Sequence, residues 1–150
     1  MPTLIIRFLD LLMAGLVAGI ILGIWLGYNP AKLSASTYIE QQQNTIVALN
    51  TLMPVLGLIT IGLTLASAFL QRDNRSIFIT LLVAAVLLII SGLITRFGNQ
   101  PINSIVLTWN KELPPADWAT FRDQWWFFHQ IRTLAALLAF CIIAGAAVKA

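Results

Sequence analysis

One histidine, two arginines and two tryptophans form the part of this sequence best equipped for chemistry. Trp118, Arg122, Trp125, His129 and Arg132 follow one another at spacings of four, three, four and three. On a helix of about 3.6 residues per turn those spacings put all five on one face. Thr133 to Val148, immediately after, carry no charge. The stripe is therefore predicted to lie at or inside a bilayer, where ionisable side chains are costly and usually mark a site.

Each residue type has a use. His129, the sole histidine, can take or give a proton near neutral pH. Arg132 and Arg122 stay charged and can hold an enolate, phenolate or carboxylate through paired N–H bonds. These three are the expected catalytic residues. Asn99 and Asn103 can donate amide hydrogens to a developing oxyanion. Trp109, Trp118 and Trp125 offer flat faces to an aromatic ligand, and Arg96 adds a third guanidinium. These six are the expected substrate-binding residues. Blander readings stand beside each: the tryptophans fit an interfacial aromatic belt, the arginines can snorkel to headgroups, and His129 can be a satisfied interfacial side chain.

Other chemistries find no support. No nucleotide-binding loop and no serine or cysteine triad is present, and a single histidine without Cys or carboxylate at ligand spacing makes no zinc site. No metal is expected. Cys141 stands alone in an apolar run, so it forms no intrachain disulfide and reads as a small core residue.

The elements that must position these residues are legible in the composition. Of 150 residues, 59% are hydrophobic and 10% charged, where soluble domains carry about a quarter charged residues. The chain reads as an integral membrane protein, one domain over residues 1–150. Its net charge of +3 comes from nine basic residues spread along the chain, which suits topology and anionic lipid rather than nucleic acid. A membrane span needs about 20 apolar residues. Spans are accordingly predicted at about 4–28, 42–70, 76–95 and 116–148. The fold class is an all-α, four-transmembrane-helix bundle with a short helical connection between spans three and four.

Local signals refine this. Leu11–Tyr28 outruns a secretory apolar core of about 7–15 residues, so it reads as a retained span. Gly15, Gly19, Gly23 and Gly27 share one face of the first span and predict close helix packing. Arg7 and Asp10 are spaced to bond to each other near the interface. Pro54 predicts a kink at Leu52–Pro54. Residues 102–110 are expected to form a short helix with Asn103 on its polar face. Pro114-Pro115 followed by Asp117 predicts the start of the last helix. Asn74-Arg75-Ser76 matches a glycosylation sequon, but in so short a turn it carries no weight. Arg72 and Arg75, with Arg7 and Lys149 on the same side, favour both termini in the cytoplasm of a bacterial inner membrane. Lys32, Arg96, Lys111 and Arg122 balance them in number on the other side.

The run Asn99-Gln-Pro-Ile-Asn103, then Trp109, then Trp118-x3-Arg122-x2-Trp125-x3-His129-x2-Arg132 resembles the DUF1772, or anthrone oxygenase-like, family of small four-helix membrane proteins. The combination of the asparagine–proline motif with the tryptophan–histidine–arginine motif is fairly specific, and it covers the C-terminal third. The resemblance implies a membrane oxidoreductase of the kind that converts an anthrone to an anthraquinone without metal or flavin. It also implies that Asn99, Asn103, Trp118, Arg122, Trp125, His129 and Arg132 line the pocket. It does not carry over a substrate.

Three functions compete. In the first, an oxygenase acts on a hydrophobic aromatic or enolisable substrate, with His129 as base, an arginine on the oxyanion and no cofactor. In the second, a redox protein holds a haem with His129 as ligand, or a quinone; a bis-histidine haem within one chain is ruled out by the single histidine. In the third, a non-enzymatic protein uses its aromatic and basic residues to bind lipid. The expected partners are membrane lipid and a hydrophobic small molecule, with a homo-oligomer compatible with all three.

Overall fold

The computed structural model describes residues 2–149. Six α-helices run in the order α1 (Pro2–Gly27), α2 (Ala35–Leu49), α3 (Leu52–Leu70), α4 (Arg75–Ile94), α5 (Gln100–Val106) and α6 (Trp118–Lys149). A 3-10 turn at Pro30–Lys32 joins α1 to α2, and a widened π-helical turn at Thr95–Asn99 joins α4 to α5. No strand occurs among the described residues. Among the described residues, four segments are long and apolar enough to cross a membrane: Pro2–Lys32, Leu52–Leu70, Arg75–Val106 and Trp118–Lys149. The protein is an integral membrane protein with an all-α bundle, as its composition requires.

Local chemistry sets the helix ends. Ser34 caps α2 and Asn74 caps α4, each side-chain oxygen accepting a backbone N–H three residues on. The second predicted span divides in two. Asn50 and Thr51 break it, so α2 ends at Leu49 and α3 begins at Leu52. Pro54 thus falls in the first turn of a new helix, where its missing N–H leaves no bond unmade. The expected kink is a full break, and α2 lies outside the spanning segments. The last helix starts at Trp118 rather than at the prolines. Before it, Trp118 N–H donates to Pro115 O at 3.2 Å and Thr120 N–H to Asp117 O at 3.0 Å, a tight turn leading into the helix.

The spanning helices pack through small side chains. Ala14, Ala68, Ala84 and Ala139 form the centre of one buried cluster with Leu81, Leu88 and Ile143. Small contact residues let helices approach closely where no hydrophobic effect drives them together. The glycine stripe of α1 does not serve this purpose. A Cβ at Gly15 would meet the Phe140 ring at 3.3 Å, whereas Gly19, Gly23 and Gly27 face open space. The buried face of α1 is Asp10, Ala14, Val17, Ala18 and Ile21. A second cluster at the opposite end gathers Ile46, Ile102, Val106 and Trp125 with Tyr28, Trp109, Phe121 and Trp126.

Arg7 and Asp10 do not pair with each other. Arg7 donates to Ala147 O at 2.6 Å, at the end of α6, and Asp10 accepts from Thr64 Oγ1 at 2.7 Å. Position along α1 explains the separation: Asp10 faces the bundle and is buried, while Arg7, one turn outward, reaches the open carbonyls of the last turn of α6.

Gly98 is the one glycine that contact makes indispensable. It is buried in the π-helical turn, and a Cβ there would lie 2.7 Å from Phe128 Cγ. That atom is the root of the ring and cannot swing aside. Gly98→Ala is expected to destabilise the protein by about 1–3 kcal/mol through overpacking. Thermal unfolding in detergent, compared with Gly62→Ala in open space, measures it.

Candidate functional site

Two bonding patterns on α6 fix the protonation of His129. Arg132 Nη2 lies 2.9 Å and Nε 3.3 Å from His129 Nδ1. A guanidinium can only donate, so Nδ1 carries no proton. His129 Nε2 lies 3.1 Å from Ile21 O. A carbonyl can only accept, so Nε2 carries one. His129 is therefore the neutral Nε2–H tautomer, fully buried and bridging α6 to α1. Its ring stacks on Trp125 at 5.0 Å between centroids and 3° between planes, and on Trp126 at 5.5 Å and 15°. Tyr28 meets both indoles edge-on, at 6.4 and 6.5 Å.

Arg132 is held on two sides. Beyond His129, its Nη1 donates to Thr95 Oγ1 at 3.2 Å. Thr95 stands at the start of the π-helical turn, where Gln100 N–H reaches back five residues to Thr95 O. Such wide turns recur at functional sites because they re-aim side chains within a helix. Three of the five guanidinium N–H groups are thus used. One on each terminal nitrogen has no protein acceptor among the described residues. The ion pairs among those residues are Lys111–Glu40 and Arg122–Asp123, so Arg132 has no carboxylate partner. A guanidinium inside a membrane bundle without an anion is a costly arrangement that a ligand anion would relieve.

The asparagines form a frame around Trp125. Asn103 Oδ1 accepts from Trp125 Nε1 at 2.8 Å, and Asn103 Nδ2 donates to Asn50 Oδ1 at 2.8 Å. Asn99 Nδ2 donates to Trp125 O at 3.0 Å, leaving its buried Oδ1 without a partner. Three elements (the α2 end, α5 and α6) are tied at one indole. Asn103→Leu strands both Trp125 Nε1 and Asn50 Oδ1, and is expected to cost about 2–4 kcal/mol. Chemical denaturation in mixed micelles, with Ser104→Ala on the exposed side of α5 as reference, reads the loss.

Two cavities meet at Arg132. The larger, about 410 Å³, runs between α1, α3 and α4. Its walls are apolar: Ile21, Met53, Pro54, Ile61 and Leu88 are among them. Its polar end is Thr95, Arg96, Gln100 and Arg132. The smaller, about 30 Å³, lies on the other side of Arg132 and Thr95, against Gln42, Asn50, Asn103 and Trp125. Gln42 is fully buried there with its Nε2 unpartnered, and Tyr28 Oη donates to its Oε1 at 3.3 Å.

The predicted site residues thus separate. Trp125, His129, Arg132, Asn99 and Asn103 come together, and Arg96 joins them at the rim of the larger cavity. His129 itself lines neither cavity wall; it stands behind Arg132. Arg122 bonds Asp123 at 2.8 Å and covers the Trp118 ring at 4.8 Å, away from His129. Trp118 packs on Tyr38 at 5.7 Å, and Trp109 on Phe121 at 5.6 Å. Burial pushes the Tyr38 phenol well above its usual range, so it is a neutral wall. The stripe divides because it is long: Trp118 to Arg132 covers about 21 Å of helix, more than one site. Thr95, Asn50, Gln42 and Tyr28 belong to the site but carried no signal in the spacing. Both His129 nitrogens are engaged, Nδ1 by Arg132 and Nε2 by Ile21.

A sequence model of the family described as Anthrone oxygenase matches residues 44–142, about two thirds of the chain. No curated protein and no solved structure matches.

Proposed function

The chain belongs to the anthrone oxygenase family, and from that premise we propose that it oxygenates a hydrophobic, enolisable aromatic ketone bound in the larger cavity. The observation that carries this reading is the Arg132 guanidinium, free of any carboxylate, at the polar end of an otherwise apolar cavity. An enolate or phenolate oxygen placed there would take the two unused N–H groups in a forked bond.

The reaction needs only dioxygen as co-reactant. A methylene beside the substrate carbonyl loses a proton, and the electron pair moves onto oxygen, where Arg132 holds it. The enolate gives one electron to dioxygen, and the two radicals combine to form a C–O bond. Protonation of the outer oxygen gives a hydroperoxide. Loss of the remaining C–H proton with cleavage of the O–O bond releases water and leaves a new carbonyl. One CH2 and one O2 become one C=O and one H2O.

His129 is the base in this account. Its Nδ1 lone pair is the basic nitrogen beside Arg132, and it becomes free when the guanidinium, drawn onto the substrate oxygen through its two unused N–H groups, lets go of Nδ1. Trp125 stacks on the imidazole and keeps its plane fixed. Arg7 and Gln71 line one small cavity with Ala147, so Arg7, the Arg72/Arg75 turn and Lys149 share one end of the bundle. That supports both termini in the cytoplasm of an inner membrane, with the site in the outer half.

Oxygen uptake by the nanodisc-embedded protein with anthrone, corrected for uncatalysed autoxidation, tests the reading. One O2 consumed per anthraquinone formed is expected. No rate above empty nanodiscs would overturn it for this substrate class.

A further inference from the structure

The larger cavity opens sideways. Leu58 on α3 and Ile89 and Leu93 on α4 line it and are 69%, 40% and 51% exposed. All three are apolar and lie on spanning segments, so the opening faces hydrocarbon, not water. Gly57 on α3 and Gly92 on α4 also line it, and a Cβ at either would meet nothing within 4 Å. Neither glycine therefore puts a side chain into the mouth, which stays open where they stand. Behind it the walls stay apolar until Thr95, Arg96, Gln100 and Arg132.

We infer that the ligand reaches Arg132 from within the membrane, through the opening between α3 and α4, as a neutral hydroxyarene or its keto form with no permanently charged group. The inference rests on the oxygenase reading for the kind of head group, and goes beyond it in fixing the route and the charge the ligand must have on arrival.

Two physical arguments support it. A permanently charged ligand would have to cross an apolar mouth set in lipid, where a full charge is costly. A weak acid crosses as the uncharged molecule and ionises only beside the guanidinium, whose field favours the anion. The cavity size agrees, since about 300–1,000 Å³ encloses ligands of a few fused rings. The unpaired Arg132 supplies the charge complementarity that a lipid tail alone would not need.

The test uses the full chain in nanodiscs and two probes, tritiated 2-naphthol and tritiated 6-hydroxynaphthalene-2-sulfonate, which carry the same acidic hydroxyl. Retention above empty nanodiscs is measured, so no turnover is required. The wild type should retain the naphthol and bind the sulfonate at least tenfold more weakly. Gly57→Leu and Gly92→Leu should each lower naphthol retention at least tenfold. Gly62→Leu, on α3 in open space outside the cavity, should leave it unchanged. Thermal unfolding of all three confirms that they fold; if either cavity variant does not, Gly57→Val or Gly92→Val replaces it. Equal binding of the sulfonate, unchanged retention in the cavity variants, or no retention by the wild type would each overturn the inference. Naphthol retention without anthrone turnover would sink the oxygenase reading alone. Normal turnover in Gly57→Leu would sink the route alone.

Discussion

Arg132→Met is expected to lower kcat for an anthrone by about 10²–10³-fold, the usual loss when a donor to a developing oxyanion is removed. The residue can bear so large an effect because of where its N–H groups go. Two hold His129 Nδ1 and one holds Thr95, which fixes the plane of the fork and leaves the rest for a ligand. Methionine fills a similar volume and removes every donor. Arg132→Lys keeps a charge but cannot bond threonine and fork onto the substrate oxygen in one plane, so it should recover only a small part of the loss. Stability should respond weakly. The variant strands Nδ1 but also removes a membrane-buried charge that has no anion, and the two effects oppose. A kcat collapse with a nearly unchanged melting temperature therefore marks a functional role, while a parallel loss of both would mark a structural one. Steady-state oxygen uptake beside thermal unfolding reads the two quantities.

The second large effect concerns His129, and two substitutions separate its two duties. As drawn by the hydrogen bonds, His129 both anchors Arg132 and presents the one basic nitrogen beside it. Glutamine can accept from Arg132 through Oε1 but cannot take a proton at neutral pH. Alanine can do neither. His129→Gln is therefore expected to lose about 10²–10⁴-fold in kcat, the range for a missing general base, with KM little changed. His129→Ala should lose as much in kcat and raise KM as well, because Arg132 is no longer held. If glutamine restores most of the activity lost in alanine, His129 acts by positioning Arg132, and the proton leaves by another path.

Much of the fold was legible in the sequence, and the limits are physical. The spanning helices follow from uncharged runs, since only helices satisfy the backbone in hydrocarbon. The break at Asn50–Thr51 was less legible, because Pro54 signals a disturbance without saying whether the helix bends or restarts. The α1 glycine stripe misled, because small residues permit close packing but do not choose which face meets a neighbour. Ala14, Val17, Ala18 and Ile21 took that face instead.

The site divides along similar lines. Trp125, His129 and Arg132 lie within two turns of one helix, so spacing alone places them together. Asn99 and Asn103 were named, but what they bond could not be, because their partners lie on other elements. Asn103 reaches Asn50 across 53 residues of sequence. Thr95, held at the end of α4 by regular helical bonding, meets Arg132 on another helix, and Ile21 contributes a main-chain carbonyl, which no side-chain pattern reveals. Arg122 and Trp118 share the face of His129 in projection but not in depth. Helical periodicity reports angle around an axis and says nothing of the neighbour at each level.

The most direct test of the central claim, that Arg132 holds a substrate oxyanion, is an anaerobic absorbance titration of anthrone bound to the protein in nanodiscs. Without dioxygen the enolate forms and stays. With the wild type the long-wavelength enolate band is expected at least one pH unit below its value in empty nanodiscs, since about 1.4 kcal/mol of preference for the anion moves ionisation by one unit. Arg132→Met should abolish that shift. An enolate band that forms at the same pH with and without Arg132, or none at all on the wild-type protein, would contradict it.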